Sequence, residues 1–190
     1  MLQISAATDE IDLLYLDESG FCMWTPVSYT YYFRGQQKKL EQTARRGRRL
    51  SILGLWQPSV KFTYGLAIGS FTSDSYIKIM DEQALQAQRE FQRTGKIRVI
   101  VQDNGSIHKS QNVQKKWSQW EAMGLYLFFL PPYCSQMNPI EIEWHQLKTH
   151  ELAGQMFEDE LDLAYAVMSG VEARGIAGKY STERFRFNSS

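Results

Sequence analysis

Two aspartates close runs of sheet-forming residues. Asp17 ends the stretch Asp12–Asp17 (D-L-L-Y-L-D), and Asp103 ends Ile97–Asp103 (I-R-V-I-V-Q-D). Turn-forming residues follow each, Glu18-Ser19-Gly20 and Asn104-Gly105. A third acid, Glu141, stands just after Asn138-Pro139-Ile140, where Asn138 suits a helix cap and Pro139 a first helical position. Two adjacent strands ending this way bring their carboxylates to one rim of a sheet, and a helix start can add the third. Carboxylate oxygens are hard ligands suited to Mg2+ or Mn2+. Packed acids repel one another unless a cation compensates them. Two such ions about 3.5–4 Å apart activate a nucleophile on one side of a phosphodiester and stabilise the leaving oxygen on the other. The chemistry within reach is therefore metal-assisted phosphoryl transfer. Taken one at a time, solvated turn acids are the plainer reading, and spacing alone leaves that open. Glu143 competes with Glu141, because the two flank the apolar stripe Ile140, Trp144, Leu147 on opposite sides.

A second charge pattern points to a polyanion. Between residues 34 and 49 stand Arg34, Lys38, Lys39, Arg45, Arg46, Arg48 and Arg49 against the single acid Glu41, with Gly35 and Gly47 in the segment. Local positive charge on a pliable connection is a footprint for a DNA backbone, with a solvated loop as the alternative. Tyr29, Tyr31 and Tyr32 precede it and suit a surface hairpin or stacking on a base. The five tryptophans read most simply as packing residues.

The elements that must position these groups follow from periodicity. Strands are expected at Asp12–Asp17, Phe21–Trp24 (a hairpin partner), Leu50–Trp56, Ile97–Asp103 and Leu125–Leu130, with Phe62–Ile68, weakened by Gly65, as an optional further one. Helices are expected from Ser73 or Asp74 to about Arg93, over 110–123, from Asn138-Pro139 onward, and over about 158–171. A meander followed by α–β crossovers predicts an α/β domain with a mixed five-stranded sheet and helices on both faces. The expected domain covers 1–175, followed by a tail over 176–190. At 190 residues with 43% hydrophobic and 22% charged residues, a single core suffices. Lys+Arg and Asp+Glu are both 21, which rules out a wholly basic coat but not a local patch. The apolar runs are too short to span a bilayer, Met1–Glu18 lacks the pattern of a signal peptide, and two cysteines are too few for a zinc site or a disulfide scaffold. A cytoplasmic protein with reduced thiols is expected.

The words around the three acids are more specific than the acids. Y-L-D-E-S-G-F (Tyr15–Phe21), V-Q-D-N-G-S-I-H (Val101–His108) and L-P-P-Y-C-S-Q-M-N-P-I-E-I-E-W-H-Q-L-K (Leu130–Lys148) resemble the catalytic, DDE endonuclease domain of mariner-like transposases, in their bacterial insertion-sequence branch. The resemblance covers about residues 11–152. The 37 residues between Asp103 and Glu141 match the mid-thirties spacing of that family. It implies a ribonuclease-H-like fold in which Asp17, Asp103 and Glu141 are the catalytic and metal-holding triad of a two-metal Mg2+ or Mn2+ site. Asp17 would touch both ions, Asp103 one and Glu141 the other. His108 stands where the family word D-N-x-x-x-H has its histidine, which implies a contact to the scissile phosphate or to water near the metals. Asn104 is a candidate to orient Asp103, and His145 lies one turn beyond Glu141. Glu18 reads as solvated.

The implied activity is DNA transposition and recombination: cleavage of a phosphodiester at an element end, then strand transfer into target DNA. Implied partners are transposon ends, target DNA and a second copy in a synaptic complex. Two departures stand out. Glu143 occupies a position that is usually not acidic, and the helix-turn-helix modules that normally precede such a core are not found before residue 11. The latter raises a companion helix-turn-helix chain as a partner. A stand-alone ribonuclease-H or resolvase-like metal nuclease and an inactive DNA-binding remnant are the competing readings.

Overall fold

The computed structural model describes residues 1–23, 47–132, 134 and 137–187. Its strands form one mixed sheet: β1 (Ile11–Phe21), β2 (Leu50–Gln57), β3 (Lys61–Ile68), β4 (Ile97–Gln102), β5 (Leu125–Phe129) and β6 (Ser181–Arg184). They lie in the order β5-β4-β1-β2-β3-β6. The first three make an antiparallel meander, β4 and β5 add in parallel beside β1, and β6 adds in parallel beside β3. The helices are α1 (Leu2–Ala7), α2 (Ser73–Thr94), α3 (Gln111–Ala122), α4 (Ile140–Gln146) and α5 (Glu160–Gly178). After α4 the chain loosens into a π-helical turn over Leu147–Glu151. Among the described residues no helix is long and apolar enough to cross a membrane.

Alternation along the strands builds a core on each face. Leu13, Tyr15, Val99, Val101, Ile52 and Phe62 pack under Trp144 and Leu147 of the α4 region and Leu163, Val167 and Val171 of α5. Leu14, Leu16, Leu53, Leu55 and Ile100 pack under Tyr76, Ile79, Met80 and Ala84 of α2 and Val113 and Trp120 of α3. The register between β1 and β4 is fixed by a charged pair. Asp12 and Arg98 are cross-strand partners, and Arg98 Nη2 lies 2.6 Å from Asp12 Oδ2. Gln57 donates to Asp12 at 2.6 Å, and Arg98 donates to Gln83 of α2 at 2.8 Å. A half-buried pair satisfied on both sides excludes a slipped register, because a slip would strand both charges.

The structure corrects several expectations. No turn interrupts β1 at Glu18-Ser19-Gly20, and Phe21 belongs to the same strand. These residues pair with Leu53, Ile52 and Ser51, so sheet pairing overrides their turn propensity. The separate strand at Phe21–Trp24 is not formed by Phe21, and Trp24 lies outside the described residues. Asp17 is therefore inside a strand rather than at its end. The sheet has six described strands rather than five, since Ser181–Arg184, expected as loose tail, forms β6. α5 runs on to Gly178 instead of stopping near Val171. Thr72, not Ser73 or Asp74, caps α2 by accepting the Ser75 N–H. α1 has no counterpart among the expected elements.

Candidate active site at the β1–β4 rim

The site starts from register. Tyr15 pairs with Val101 across the parallel β1–β4 ladder. Two residues further along each chain come Asp17 and Asp103, on the face that α4 and α5 cover. β4 ends at Gln102, so Asp103 is the first residue beyond the strand. α4 is set against β1 by Asn138, whose side-chain amide donates to the Leu16 carbonyl at 2.9 Å and is buried there. This corrects the expected cap: Asn138 spends its side chain on β1, and Pro139 occupies the N-cap position of α4 without a side-chain cap. The effect is to anchor the helix start beside the two aspartates.

Charge and burial act on the three acids differently. Burial pushes the Asp17 carboxyl up to about 6, and the neighbouring charges of Asp103 and Glu141 push the same way. The Glu18 backbone N–H and the Trp144 indole act against this. Trp144 Nε1 donates to Asp17 Oδ2 at 3.0 Å. Asp103 is half exposed and lies below the usual carboxylate range, held there first by His108. Its Oδ1 is 2.9 Å from His108 Nδ1 and accepts the Gly105 N–H at 3.0 Å. His108 sits in a 3-10 turn (Ser106–Lys109), is 3% exposed, and packs on the Tyr76 ring at 4.8 Å. It is thus placed to orient Asp103, rather than presented outward for a phosphate. The Asn104 amide donates to the Leu130 carbonyl, not to the Asp103 carboxylate, and ties the loop to the end of β5.

The two glutamates of α4 part company. Glu143 is buried, accepts from Arg174 Nε at 3.2 Å and from the Tyr180 hydroxyl at 2.7 Å, and so joins α4 to α5. Glu141 is the one whose charge is felt at Asp17 and at Lys148. His145 is exposed on α4. Glu18, the next residue of β1 after Asp17, is only partly buried.

One residue that the sequence pattern does not single out belongs here. Lys148 lies over the Phe21 ring at 5.5 Å, close enough to Asp17, Glu141 and Arg49 to feel each charge. Crowding by the protein and the Arg49 guanidinium hold its ammonium below the ordinary lysine range. Its place seven residues after Glu141, two helical turns on, was the available signal. Of the basic segment, Arg48 and Arg49 are described. Arg48 is exposed and its backbone N–H donates to Glu160 at 3.1 Å. Arg34, Lys38, Lys39, Arg45 and Arg46, with Tyr29, Tyr31 and Tyr32, lie outside the described residues.

Among the described residues, no three of His, Cys, Asp and Glu stand close enough together to hold a metal ion. The donor chemistry nevertheless fits a divalent cation. A carboxylate raised by burial and by two like charges is the arrangement that a cation relieves. Asn104 Oδ1, His108 Nε2 and Asn138 Oδ1, on residues that neighbour or touch the elements bearing the acids, are buried with no partner among the described residues. Such atoms are rare in native folds, and a bound water or ion is one way to satisfy them. A cavity of about 810 Å³ opens elsewhere, bounded by Gln3, Asp12, Trp56 and Arg98, and none of the three acids lines it.

Comparison with known proteins agrees. The sequence profile of the DDE superfamily endonuclease family matches residues 12–164. The chain belongs to that family. Its DDE domain superposes on the Mos1 mariner paired-end complex with Mn at a TM-score of 0.68, with 16% identity, covering 94% of this chain and 56% of that one. The pre-cleavage Mos1 transpososome gives 0.67 at 15% identity, with coverage of 94% and 56%. The isolated Mos1 catalytic domain gives 0.61 at 14% identity, with coverage of 94% and 83%. The DDE domain thus has the ribonuclease-H-like fold of a mariner transposase catalytic domain, and spans 56% of the longer Mos1 chains it matches. No curated protein sequence matches it.

Proposed function

We propose that this DDE domain carries out DNA cleavage and strand transfer in transposition, using Mg2+ or Mn2+ held by Asp17, Asp103 and Glu141. The observation that carries the reading is Asp17: a largely buried carboxylate on β1, raised to about 6, with the charges of Asp103 and Glu141 both acting on it. The charges that act on Asp17 of β1 come from a loop, Asp103, and from a helix, Glu141, in a chain whose family is one of endonucleases. When bound, the cations would activate the attacking oxygen and stabilise the departing one. The chain's own residues supply orientation. His108 fixes Asp103, Trp144 fixes one oxygen of Asp17, and Asn138 ties the start of α4, which bears Glu141, to β1.

In the first reaction, water attacks the phosphorus at an element end and the 3′-oxygen leaves, taking up a proton. In the second, that 3′-hydroxyl attacks a target phosphodiester and displaces its 3′-oxygen, so one bond forms for each that breaks. Lys148 and Arg49 are placed to meet the phosphates. DNA ends and target DNA are the partners, a second copy of the chain is expected in the assembly, and a helix-turn-helix module, on this protein or on a companion, is expected to read the ends. Mos1 has been crystallised in paired-end and strand-transfer complexes, which supports this choice over a plain nuclease. The test is an assay with precleaved ends and a target plasmid in Mg2+ or Mn2+. Joined products that vanish in Asp17→Asn, Asp103→Asn and Glu141→Gln are expected. Nicks without joining would mean a stand-alone nuclease, and no reaction in any metal would mean an inactive remnant.

A further inference from the structure

We propose that Trp144 is a positioning residue for the Asp17 carboxylate and that Gly54 is the notch that allows it to be one. The inference rests on the reading of Asp17 as a metal ligand. Asp17 and Gly54 are directly opposed partners on β1 and β2. Side chains of opposed residues project to the same face, about 4.5–5.5 Å apart at Cβ. A Cβ at position 54 would stand 2.5 Å from Trp144 Cη2, 2.7 Å from Cζ2 and 2.9 Å from Phe62 Cζ. The indole therefore occupies the volume that any side chain at 54 would take. Phe62, edge-on at 5.5 Å and 88°, closes the other side.

Held in that slot, the indole brings Nε1 to 3.0 Å from Asp17 Oδ2. Trp144 is 5% exposed, so water does not compete for the donor. The pairing is not what every buried indole here achieves: Trp56 Nε1 and Trp117 Nε1 are buried with no partner among the described residues. An indole N–H is a donor only and carries no charge. It fixes one oxygen of Asp17 while leaving the negative charge for a cation, which a lysine or arginine in its place would not do. Partners that orient metal ligands in this way typically govern affinity and rate by about 10–100-fold.

The experiment uses the 190-residue chain and two readouts, Mn2+ binding followed by the spin-resonance signal of free Mn2+, and cleavage kinetics. Trp144→Phe keeps a ring in the slot and removes the donor. It is expected to weaken Mn2+ binding about tenfold and to lower kcat similarly, with KM for DNA and the thermal midpoint near native. Gly54→Ala, which leaves the donor in place but displaces the ring, is expected to move both readouts in the same direction. The double variant should fall short of the product of the two effects, because both act through one hydrogen bond. Native Mn2+ affinity in Gly54→Ala and in a folded Trp144→Phe would overturn the proposal; if Trp144→Phe does not fold, Gly54→Ala decides it. Asp17→Asn is the control: native Mn2+ affinity there would overturn the ligand assignment, and the positioning role with it.

Discussion

Glu141 and Glu143 stand two residues apart on α4 and serve opposite sides of it. Glu143 is buried against Arg174 and Tyr180, while Glu141 acts on Asp17 at the sheet rim. Glu141→Gln is expected to abolish cleavage and leave the unfolding temperature near native. Glu143→Gln leaves the Arg174 charge without its partner and should cost about 3 kcal/mol of stability, while the folded fraction still cleaves. Paired melting curves and single-turnover rates check both, and a reversed ranking would show that the wrong acid has been assigned to the site.

Asp17 makes the stability of the metal-free protein depend on pH. Its folded pKa of about 6 is above the ordinary 3.8, so the native state holds the proton more tightly than the unfolded one. The stabilisation this gives is complete below pH 3.8 and is lost as pH rises through about 6. At pH 7 without metal, Asp17→Asn should therefore be more stable than the native chain, by on the order of 2 kcal/mol. Adding Mn2+ should stabilise the native chain and not the variant. Denaturant titrations at several pH values, with and without Mn2+, measure both effects. A difference that does not change between about pH 4 and 7 would contradict the burial described for Asp17.

His108 is buried and orients Asp103, so its loss should appear in catalysis and metal binding rather than in DNA affinity. His108→Ala is expected to lower kcat about tenfold or more with KM for DNA unchanged. His108→Asn, whose amide nitrogen can replace Nδ1, should recover part of the loss. A raised KM with kcat intact would instead mark a direct phosphate contact.

The basic segment 34–49 is expected to work through charge alone. Neutralising Arg45, Arg46, Arg48 and Arg49 together should weaken binding to all duplexes alike. The slope of log affinity against log salt should flatten by about 0.9 for each phosphate that is no longer neutralised. An unchanged slope in filter-binding titrations would reduce this segment to a solvated loop.

The 190-residue chain by itself should show little sequence preference. The described helices cover the two faces of the sheet, and what faces the rim is charge suited to the backbone rather than to base edges. Competition between end-repeat and scrambled duplex at fixed salt tests this. A preference of about a thousandfold or more for the repeat would mean that the domain reads bases directly.

The fold class and the three elements that bear acids were legible because their signals are local. Ile97–Gln102 is β-branched, Asn138-Pro139 begins a helix, and the string around Glu141 is distinctive. What stayed hidden depends on partners distant in sequence. The residues E-S-G favour a turn in isolation, and only pairing with Leu53, Ile52 and Ser51 carries β1 through them. Spacing alone left Glu141 and Glu143 open, and the partners that occupy Glu143, Arg174 and Tyr180, stand some thirty and more residues away. Trp144 reads as packing until its indole N–H is seen against Asp17. Ser181–Arg184 has no strand pattern of its own and becomes β6 because β3 offers it an open edge.

That last strand changes where the catalytic unit can be trimmed. Shortening the chain at Gly175, where the sequence alone places the domain boundary, would strip β6 from β3 and uncover a row of unpaired backbone groups that recruits other chains into aggregates. The same cut would take away Tyr180, and with it the hydroxyl that helps hold Glu143 and the helix bearing Glu141. Proteolytic nicking near Lys179 should accordingly reach the chemistry from the edge of the sheet, as lost solubility first and lost cleavage with it.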